Sequence, residues 1–271
     1  MTNIIVLIGA GNMGFAMLTG WLHQNPDLTV HVVEPFEPFQ IRAKSAGAQP
    51  VADLADLPAD LTAELVVLAV KPQMVALILA ECGGLAERGA SFVSVAAGIT
   101  IPAMARALPK DTPIIRCMPN TAAAIGQGMM VLCAGPTVSA PARQLTERLF
   151  ATSGAVAWAE DERLMDAVTA ISGSGPAYVF HFIEALTEAG ISLGLPADLA
   201  GLLARQTVAG AGLMAQKAAD SPTVLRQQVT SPNGTTAAAL GVFMADQALA
   251  RLVGRAAKAA RDRGIELGQE G

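Results

Sequence analysis

The sequence predicts an α/β protein in which a doubly wound, mostly parallel sheet precedes an all-helical second domain. Short apolar runs typical of buried strands alternate with helical stretches as far as Glu160. A glycine-rich turn, Gly9 to Gly14, follows the first of these runs. After Glu160 the apolar residues recur at helical spacing. We therefore expect one domain over residues 1–161 and a helical domain over residues 162–271.

The first domain is read as a series of strands and helices. Ile4–Ile8 is a continuous apolar run bounded by Gly9, as expected for a strand buried on both faces of a parallel sheet. The other predicted strands are Thr29–Val33, Glu64–Val70, Ser91–Val95, Ile114–Cys117, Gly128–Ala134 and Ala155–Trp158. The predicted helices between them are Phe15–His23, Ile41–Ala46, Met74–Cys82, Ile101–Leu108 and Ala140–Thr152. This alternation implies βαβ units.

The second domain contains five helical stretches separated by Gly, Pro, Ser or Asn. They are Arg163–Ile171, Ala177–Leu193, Ala197–Ala219, Thr223–Val229 and Thr236–Leu267. The last stretch is long, and Gly241 and Gly254 are its expected kink points.

Composition excludes several classes of protein. With 52% apolar and 15% charged residues, the chain is expected to be folded rather than disordered. No run approaches ~18 uninterrupted apolar residues, so we expect no membrane span. A net charge of −5 without a basic stripe argues against a nucleic-acid partner. The high fraction of apolar residues favours a protein that buries part of its apolar surface between subunits.

Cysteine usage and the N-terminus indicate a cytoplasmic protein. The three cysteines, Cys82, Cys117 and Cys133, show neither disulfide nor zinc spacing. The three histidines show no metal spacing either, so we expect no metal. The chain runs from Met1 directly towards a strand, without an export signal.

The turn G-A-G-N-M-G follows a strand and opens a helix, which is the setting of a dinucleotide fingerprint in a Rossmann domain. Gly9 permits the tight turn, Gly11 lets the backbone approach a pyrophosphate, and Gly14 lets the helix pack closely. The helix N-terminus then favours the anion. A glycine-rich turn without a ligand is the alternative. The predicted cofactor-binding residues here are Ile8, Gly9, Ala10, Gly11, Asn12, Met13 and Gly14.

Glu34 ends the second strand twenty residues after Gly14, where an acid usually binds the adenine ribose 2′-OH. A carboxylate at this place repels a 2′-phosphate, and no arginine follows before Arg42. We therefore expect NAD(P)H as cofactor, with NADH favoured over NADPH. The alternative is a solvated Glu at a strand end.

Two further strand ends lie at the carboxyl edge of the sheet, where such folds bind ligands. Ala69, Val70, Lys71 and Pro72 end one strand, and Val95, Ala96 and Ala97 end the next. Small residues there let the nicotinamide ribose approach the backbone. Lys71 is assigned a cofactor contact, with a structural surface lysine as the alternative.

Taken together, six motifs resemble the 1-pyrroline-5-carboxylate reductase family over nearly the whole chain. They are G-A-G-N-M-G at Gly9, A-V-K-P at Ala69, A-A-G at Ala96, R-C-M-P-N-T at Arg116, D-A-V-T-A-I-S-G-S-G-P-A-Y at Asp166 and V-T-S-P-N-G-T-T at Val229. The motifs at Asp166 and Val229 are far more specific than the nucleotide fingerprint.

The resemblance implies that NAD(P)H delivers a hydride to the C=N carbon of a cyclic imine carrying a carboxylate. It implies a helical domain that forms homodimers or rings of dimers. It also implies that Ser231, Asn233, Gly234, Thr235 and Thr236 bind the substrate carboxylate. Thr236 would hydrogen-bond the ring nitrogen as the catalytic residue, and Glu162 would lie near the substrate.

This loop departs from the family at Asn233, where glycine is usual. Asn tolerates left-handed backbone, so the loop shape can survive. Without the resemblance, Ser231 to Thr236 reads more readily as an ordinary helix N-cap.

Two other functions remain as alternatives. Related β-hydroxyacid dehydrogenases share a similar fingerprint but use a lysine on the first long helix, and residues 172–190 contain none. A non-catalytic NAD(H)-binding protein would keep the Gly9 turn but have no reason to keep a Ser/Thr-rich anion loop at Ser231.

Overall fold

The computed structural model describes residues 3–270, which form two compact units. The first contains the described residues up to Ser174 together with those from Ala260 onward, and the second runs from Gly175 to Ala259. The first unit is α/β and the second is helical, as the sequence predicts. Met1, Thr2 and Gly271 lie outside the described residues.

One eight-stranded sheet forms the centre of the first unit. Its strands are β1 (Ile4–Ile8), β2 (Thr29–Val33), β3 (Gln49–Val51), β4 (Leu65–Leu68), β5 (Ser91–Ser94), β6 (Ile114–Met118), β7 (Gly128–Ala134) and β8 (Gly154–Trp158). The order is β3-β2-β1-β4-β5-β6-β7-β8. Among these described strands, β6 and β7 are the one antiparallel pair. The order reverses beside β1, which is where open α/β sheets bind ligands.

The first unit also contains seven helices within its described part up to Ser174. They are α1 (Asn12–Gln24), α2 (Glu37–Ser45), α3 (Pro72–Glu81), α4 (Gly83–Glu87), α5 (Ile101–Ala105), α6 (Ala140–Ala151) and α7 (Met165–Val168), followed by a π-helical turn at Thr169–Gly173. The sequence does not predict β3, because it is short and contains Pro50. Proline is tolerated there because β3 lies at the edge of the sheet.

The apolar runs are continuous because the sheet is covered on both faces. Ile5 and Leu7 of β1 belong to one cluster of buried side chains. Val6 and Ile8 belong to another. Successive strand residues point to opposite faces, so both alternating sets need apolar side chains.

Residues just after the predicted boundary at Asp161 pack against the sheet. Met165 is fully buried and clusters with Val131 and Cys133 of β7. The compact units accordingly divide after Ser174, so the first unit extends beyond the predicted boundary. That boundary, between residues 161 and 162, stays a prediction for the functional domains.

The second unit is built of α8 (Gly175–Ser192), α9 (Ala197–Lys217), α10 (Pro222–Gln228), α11 (Thr235–Met244) and the first part of α12 (Ala248–Glu270). Gly190 packs against Ala200, so small residues bring α8 and α9 together. Gly241 lies inside α11 and Gly254 inside α12, so the kinks expected there stay a prediction. The chain breaks between α11 and α12, where Asp246 has a φ of 48°.

Candidate functional site

The register of the parallel strands aligns their carboxyl ends. Ile8 of β1 pairs with Val33 of β2 and with Leu68 of β4, and Leu68 pairs with Ser94 of β5. The segments that follow these four strands therefore share one edge of the sheet. They contain the cofactor-binding residues predicted from the sequence.

The turn after β1 requires glycine at two positions. Gly9 has a φ of +91°, and its N–H donates to the Val33 carbonyl at 2.9 Å. A Cβ at Gly9 would lie 2.6 Å from the Ala69 carbonyl oxygen. A Cβ at Gly14 would overlap the Gly9 carbonyl oxygen. Both glycines thus allow close packing of the turn, α1 and β4.

Gly11 differs from these two, because nothing lies within 4 Å of the position its Cβ would take. It precedes α1 at the N-cap position, with no side chain capping the helix. Its missing side chain therefore leaves room for a ligand above the N–H groups of the first helical turn. Of the neighbouring predicted residues, Ala10 is buried, Asn12 is exposed and Met13 is half-buried.

Glu34 is buried, with 7% of its surface exposed. Its Oε2 accepts the Ala10 N–H at 2.7 Å, and its Oε1 accepts the Phe36 N–H at 3.0 Å. The alternative of a solvated strand-end Glu is therefore wrong. A carboxylate has about four lone-pair sites, so these two bonds leave acceptor capacity for a ribose hydroxyl.

A cavity of about 510 Å³ lies over this edge, within the size range of cofactor pockets. Its lining includes Ile8, Gly9, Gly11, Glu34, Ala69, Val70 and Lys71 from the predicted cofactor site. Three further lining residues, Phe39, Asp53 and Glu81, were not predicted from the sequence. Asp53 and Glu81 come from β3's following loop and the end of α3, whose proximity depends on the tertiary fold. This cavity is suited to the adenosine and the pyrophosphate of a dinucleotide.

The remaining predicted cofactor residues follow β4 and β5. Lys71, which also lines the cavity, is exposed at the N-cap of α3, and Pro72 is the first residue of that helix. After β5, the Ser94 Oγ accepts the Ala96 N–H at 3.2 Å and so orders the backbone there. Ala96 is buried, whereas Ala97 is exposed. Val95 is half-buried.

Arg116 forms an ion-pair cluster that the sequence did not predict. The residue is 4% exposed. Its Nη1 lies 3.2 Å from Glu162 Oε1, and its Nη2 lies 3.3 Å from Asp166 Oδ1. Glu162 Oε1 also accepts the Ile101 N–H at 2.7 Å. Glu162 therefore links β6, the start of α5 and the segment before α7.

The same face of β6 continues this attachment. Met118 would collide with a Cβ at Gly173, which explains the glycine in the π-helical turn. The Asn120 Nδ2 donates to the Ser172 carbonyl at 3.1 Å, and its Oδ1 accepts the Met129 N–H at 3.2 Å. Arg116 and Met118 lie on one face of β6, and Asn120 follows two residues after the strand ends; all three contact residues 162–173. We call these three residues the β6 clasp.

The predicted substrate loop lies in the second unit. Asn233 has a φ of +60°, which confirms that it takes the left-handed conformation. The Gly234 N–H donates to the Ser231 carbonyl at 3.1 Å, closing the turn before α11. Gly234 occupies the N-cap, and no side chain caps the helix. The interpretation of Ser231 to Thr236 as a side-chain cap is therefore wrong, and the first-turn N–H groups lack intrahelical partners.

The whole chain is similar to curated reductases. A pyrroline-5-carboxylate reductase from Pseudomonas aeruginosa is 39% identical over 269 residues, which cover 98% of this chain and 97% of that protein. The chain belongs to the pyrroline-5-carboxylate reductase family. The resemblance read from the six motifs is thereby confirmed.

Family models and solved structures agree with membership of the pyrroline-5-carboxylate reductases. Residues 162–267 match the family model whose description is "pyrroline-5-carboxylate reductase dimerisation". Residues 4–98 match the family model whose description is "NADP oxidoreductase coenzyme F420-dependent". The Coxiella burnetii pyrroline-5-carboxylate reductase superposes with a TM-score of 0.93 at 35% identity, covering 98% of this chain and 99% of that one.

A Plasmodium falciparum pyrroline carboxylate reductase with NADP bound gives a TM-score of 0.80 at 26% identity, covering 98% and 99% of the two chains. In the present chain, the first unit is a nicotinamide-cofactor domain and the helical region serves oligomerisation.

The cysteines offer no nucleophile in this reductase-family chain. Burial raises the pKa of the Cys82 thiol to about 12, with the Glu81 carboxylate adding to the shift. Burial also raises the pKa of Cys117 and Cys133. All three thiols are therefore protonated at neutral pH. In the described part of the chain, no three His, Cys, Asp or Glu side chains are grouped to hold a metal ion.

Proposed function

We propose that this chain is a 1-pyrroline-5-carboxylate reductase, which reduces the C=N bond of that cyclic imine to give L-proline with NAD(P)H. The observation that carries this is 39% identity to such a reductase over 98% of the chain. Similarity over the full length matters because the cofactor and substrate motifs lie in different halves. A bound nicotinamide cofactor supplies the hydride.

The Ser231–Thr236 loop is proposed to hold the substrate carboxylate. Its left-handed Asn233 and the Gly234 turn lead into α11, where the N–H groups of the first turn lack intrahelical partners. A carboxylate at a helix N-terminus is favoured by these donors and by the helix dipole. The hydroxyls of Ser231 and Thr235 supply further donors.

Thr236 is proposed to hydrogen-bond the ring nitrogen as the catalytic residue. Protonation makes the imine carbon a better hydride acceptor, and such an imine takes a proton from water near neutral pH. A strong protein acid is therefore unnecessary, and a hydroxyl suffices to orient the nitrogen. Glu162 is proposed to lie near the substrate, held by Arg116 and the Ile101 N–H.

NADH is proposed as the preferred cofactor because the adenosine cavity is acidic. Its lining contains the carboxylates of Glu34, Asp53 and Glu81 against the single cation of Lys71. A 2′-phosphate adds about two negative charges to such surroundings. Like charges repel most where burial limits solvent screening, and Glu34 is 7% exposed.

The assembly is proposed to be a homodimer, or a ring of dimers, formed through the helical unit. Phe180 is 60% exposed in the single chain and Val242 is 74% exposed. Large exposed apolar patches mark interfaces, and this region matches a dimerisation model. A mass in solution that is a multiple of the dimer would support the proposal, whereas a monomer would contradict it.

Residues 235–268 also form a stretch that is, by length and composition alone, long and apolar enough to cross a membrane. The break at Ala245–Gln247 divides this stretch, and α12 carries charged residues such as Arg251 and Arg255. We favour a subunit interface over a membrane. The absence of a nucleic-acid partner and the cytoplasmic location stay predictions.

The experiment is a steady-state assay of imine reduction with each cofactor, on the unaltered chain and on Thr236→Ala. We expect a higher kcat/KM with NADH than with NADPH. Thr236→Ala should lower kcat/KM for the imine about 10- to 100-fold, because one hydrogen bond to a charged substrate is lost. The Kd for NADH should stay unchanged.

Thr223→Ala, an exposed threonine of α10, is the matched control and should leave the assay unaltered. Weakened cofactor binding in Thr236→Ala would show that the residue is misassigned. A clear preference for NADPH would overturn the assignment of Glu34.

A further inference from the structure

Arg42 is the first cationic residue after β2. In dinucleotide-binding domains an arginine in this region accommodates the 2′-phosphate of NADP. The surroundings of Arg42 in this chain point to a different task.

The guanidinium of Arg42 is already engaged within the protein. Its Nη2 donates to the backbone oxygen of Ala10 at 2.5 Å. Its Cζ lies 4.0 Å from the ring centre of Phe15 and 4.7 Å from that of Phe39. Aromatic faces attract a guanidinium, so both rings stabilise this position. The described cavity lining includes Phe39 but not Arg42 itself.

Ala10 is therefore held from both sides by charged side chains. Its N–H donates to Glu34 Oε2 at 2.7 Å, and its carbonyl accepts from Arg42. Ala10 has no exposed surface, so water cannot reach its N–H or its carbonyl. Loss of either hydrogen bond would therefore leave a buried polar group without a partner, which costs free energy. The two peptide groups that flank the Ala10 Cα are thus fixed in direction.

We propose that Arg42 is a positioning residue that aims the Gly11 N–H at the pyrophosphate of the cofactor. The Ala10 carbonyl and the Gly11 N–H belong to one trans peptide group, in which they point in opposite directions. Holding the carbonyl towards Arg42 turns the N–H to the other side. Gly11 lines the cavity, and the space beside it is open.

The pyrophosphate is common to NADH and NADPH, so Arg42 strengthens the binding of both by the same factor. It does not read the 2′-phosphate. This inference rests on the dinucleotide site of the proposed function but not on the identity of the imine. Its test therefore uses cofactor binding alone, and a failure of imine reduction would leave the result unaffected.

The experiment measures the Kd of NADH and of NADPH by fluorescence titration on Arg42→Met, which keeps an unbranched apolar stem and removes the guanidinium. We expect both Kd values to rise about tenfold, with their ratio unchanged within about twofold. Arg88→Met is the matched control. Arg88 also donates to a backbone carbonyl, that of Leu61, at 2.8 Å, but outside the cavity lining. Neither Kd should change in this control.

Arg42→Lys keeps a cationic donor and loses the planar stacking surface. It should recover part of the affinity for both cofactors, and it carries the test if Arg42→Met does not fold. A loss confined to NADPH in either variant would make Arg42 a 2′-phosphate ligand and overturn the proposal. Unchanged Kd values for both cofactors would overturn it as well.

Discussion

At the scale of single residues, the turn after β1 depends on two glycines and on two charged side chains. Gly9 takes a φ of +91°, Gly14 leaves no room for a Cβ, and Glu34 and Arg42 hold the two peptide groups of Ala10. The glycines follow from the fingerprint. The burial of Glu34 between two N–H donors did not follow, because its partners Ala10 and Phe36 are set by the turn geometry. The Arg42 contact spans 32 residues and needed the fold.

The contrast between Gly14 and Gly11 gives a prediction for this turn. Gly14→Ala should lower the free energy of unfolding by about 1–3 kcal/mol, because its Cβ collides with the Gly9 carbonyl. Gly11→Ala should cost about 1 kcal/mol or less, since its Cβ meets nothing within 4 Å. It should instead weaken NADH binding by blocking the pyrophosphate.

Urea denaturation without cofactor and NADH titration separate the two effects. Each variant serves as the control for the other. Equal loss of stability in both variants would contradict the different roles given to these glycines.

At the scale of elements, the strands were predicted well because the sheet is covered on both faces and its runs are continuously apolar. The edge strand β3 was missed, since Pro50 resembles a loop signal. The helix break at Ala245–Gln247 was not predicted, because no residue in the break is a glycine or proline. The β6 clasp was invisible in the sequence, where its partners lie about fifty residues away.

The β6 clasp yields a prediction about stability. Arg116→Met should lower the free energy of unfolding by about 2–3 kcal/mol, because it leaves the carboxylates of Glu162 and Asp166 without their buried cation. Both carboxylates are partly solvated, which keeps the loss below that of a fully buried pair.

Arg163→Met is the matched control for this measurement. Arg163 also pairs with a carboxylate, that of Asp161, but its side chain is 88% exposed. Its loss should leave the free energy of unfolding nearly unchanged, as measured by denaturant titration, because solvent screens an exposed ion pair. An effect of Arg116→Met no larger than that of Arg163→Met would show that the buried Arg116 ion pairs add nothing to stability.

At the scale of the whole molecule, the two units of the chain have different roles. The α/β unit binds the nicotinamide cofactor, and the helical unit carries the Ser231–Thr236 loop and the exposed apolar faces. The motifs at Gly9 and Val229 located both halves, because Gly9 and Asn233 take positive φ values that few other residues adopt. The sequence predicted that apolar surface is buried between subunits, but it did not predict which helix faces form that surface. Composition alone does not show which residues are exposed.

We propose that hydride passes from the cofactor to the imine carbon of 1-pyrroline-5-carboxylate. A reaction with NADH carrying two deuterium atoms at C4 of the nicotinamide tests this directly. We expect L-proline with one deuterium on ring carbon 5, detected by mass spectrometry and NMR. Unlabelled proline, or no proline despite measurable NADH binding, would contradict it.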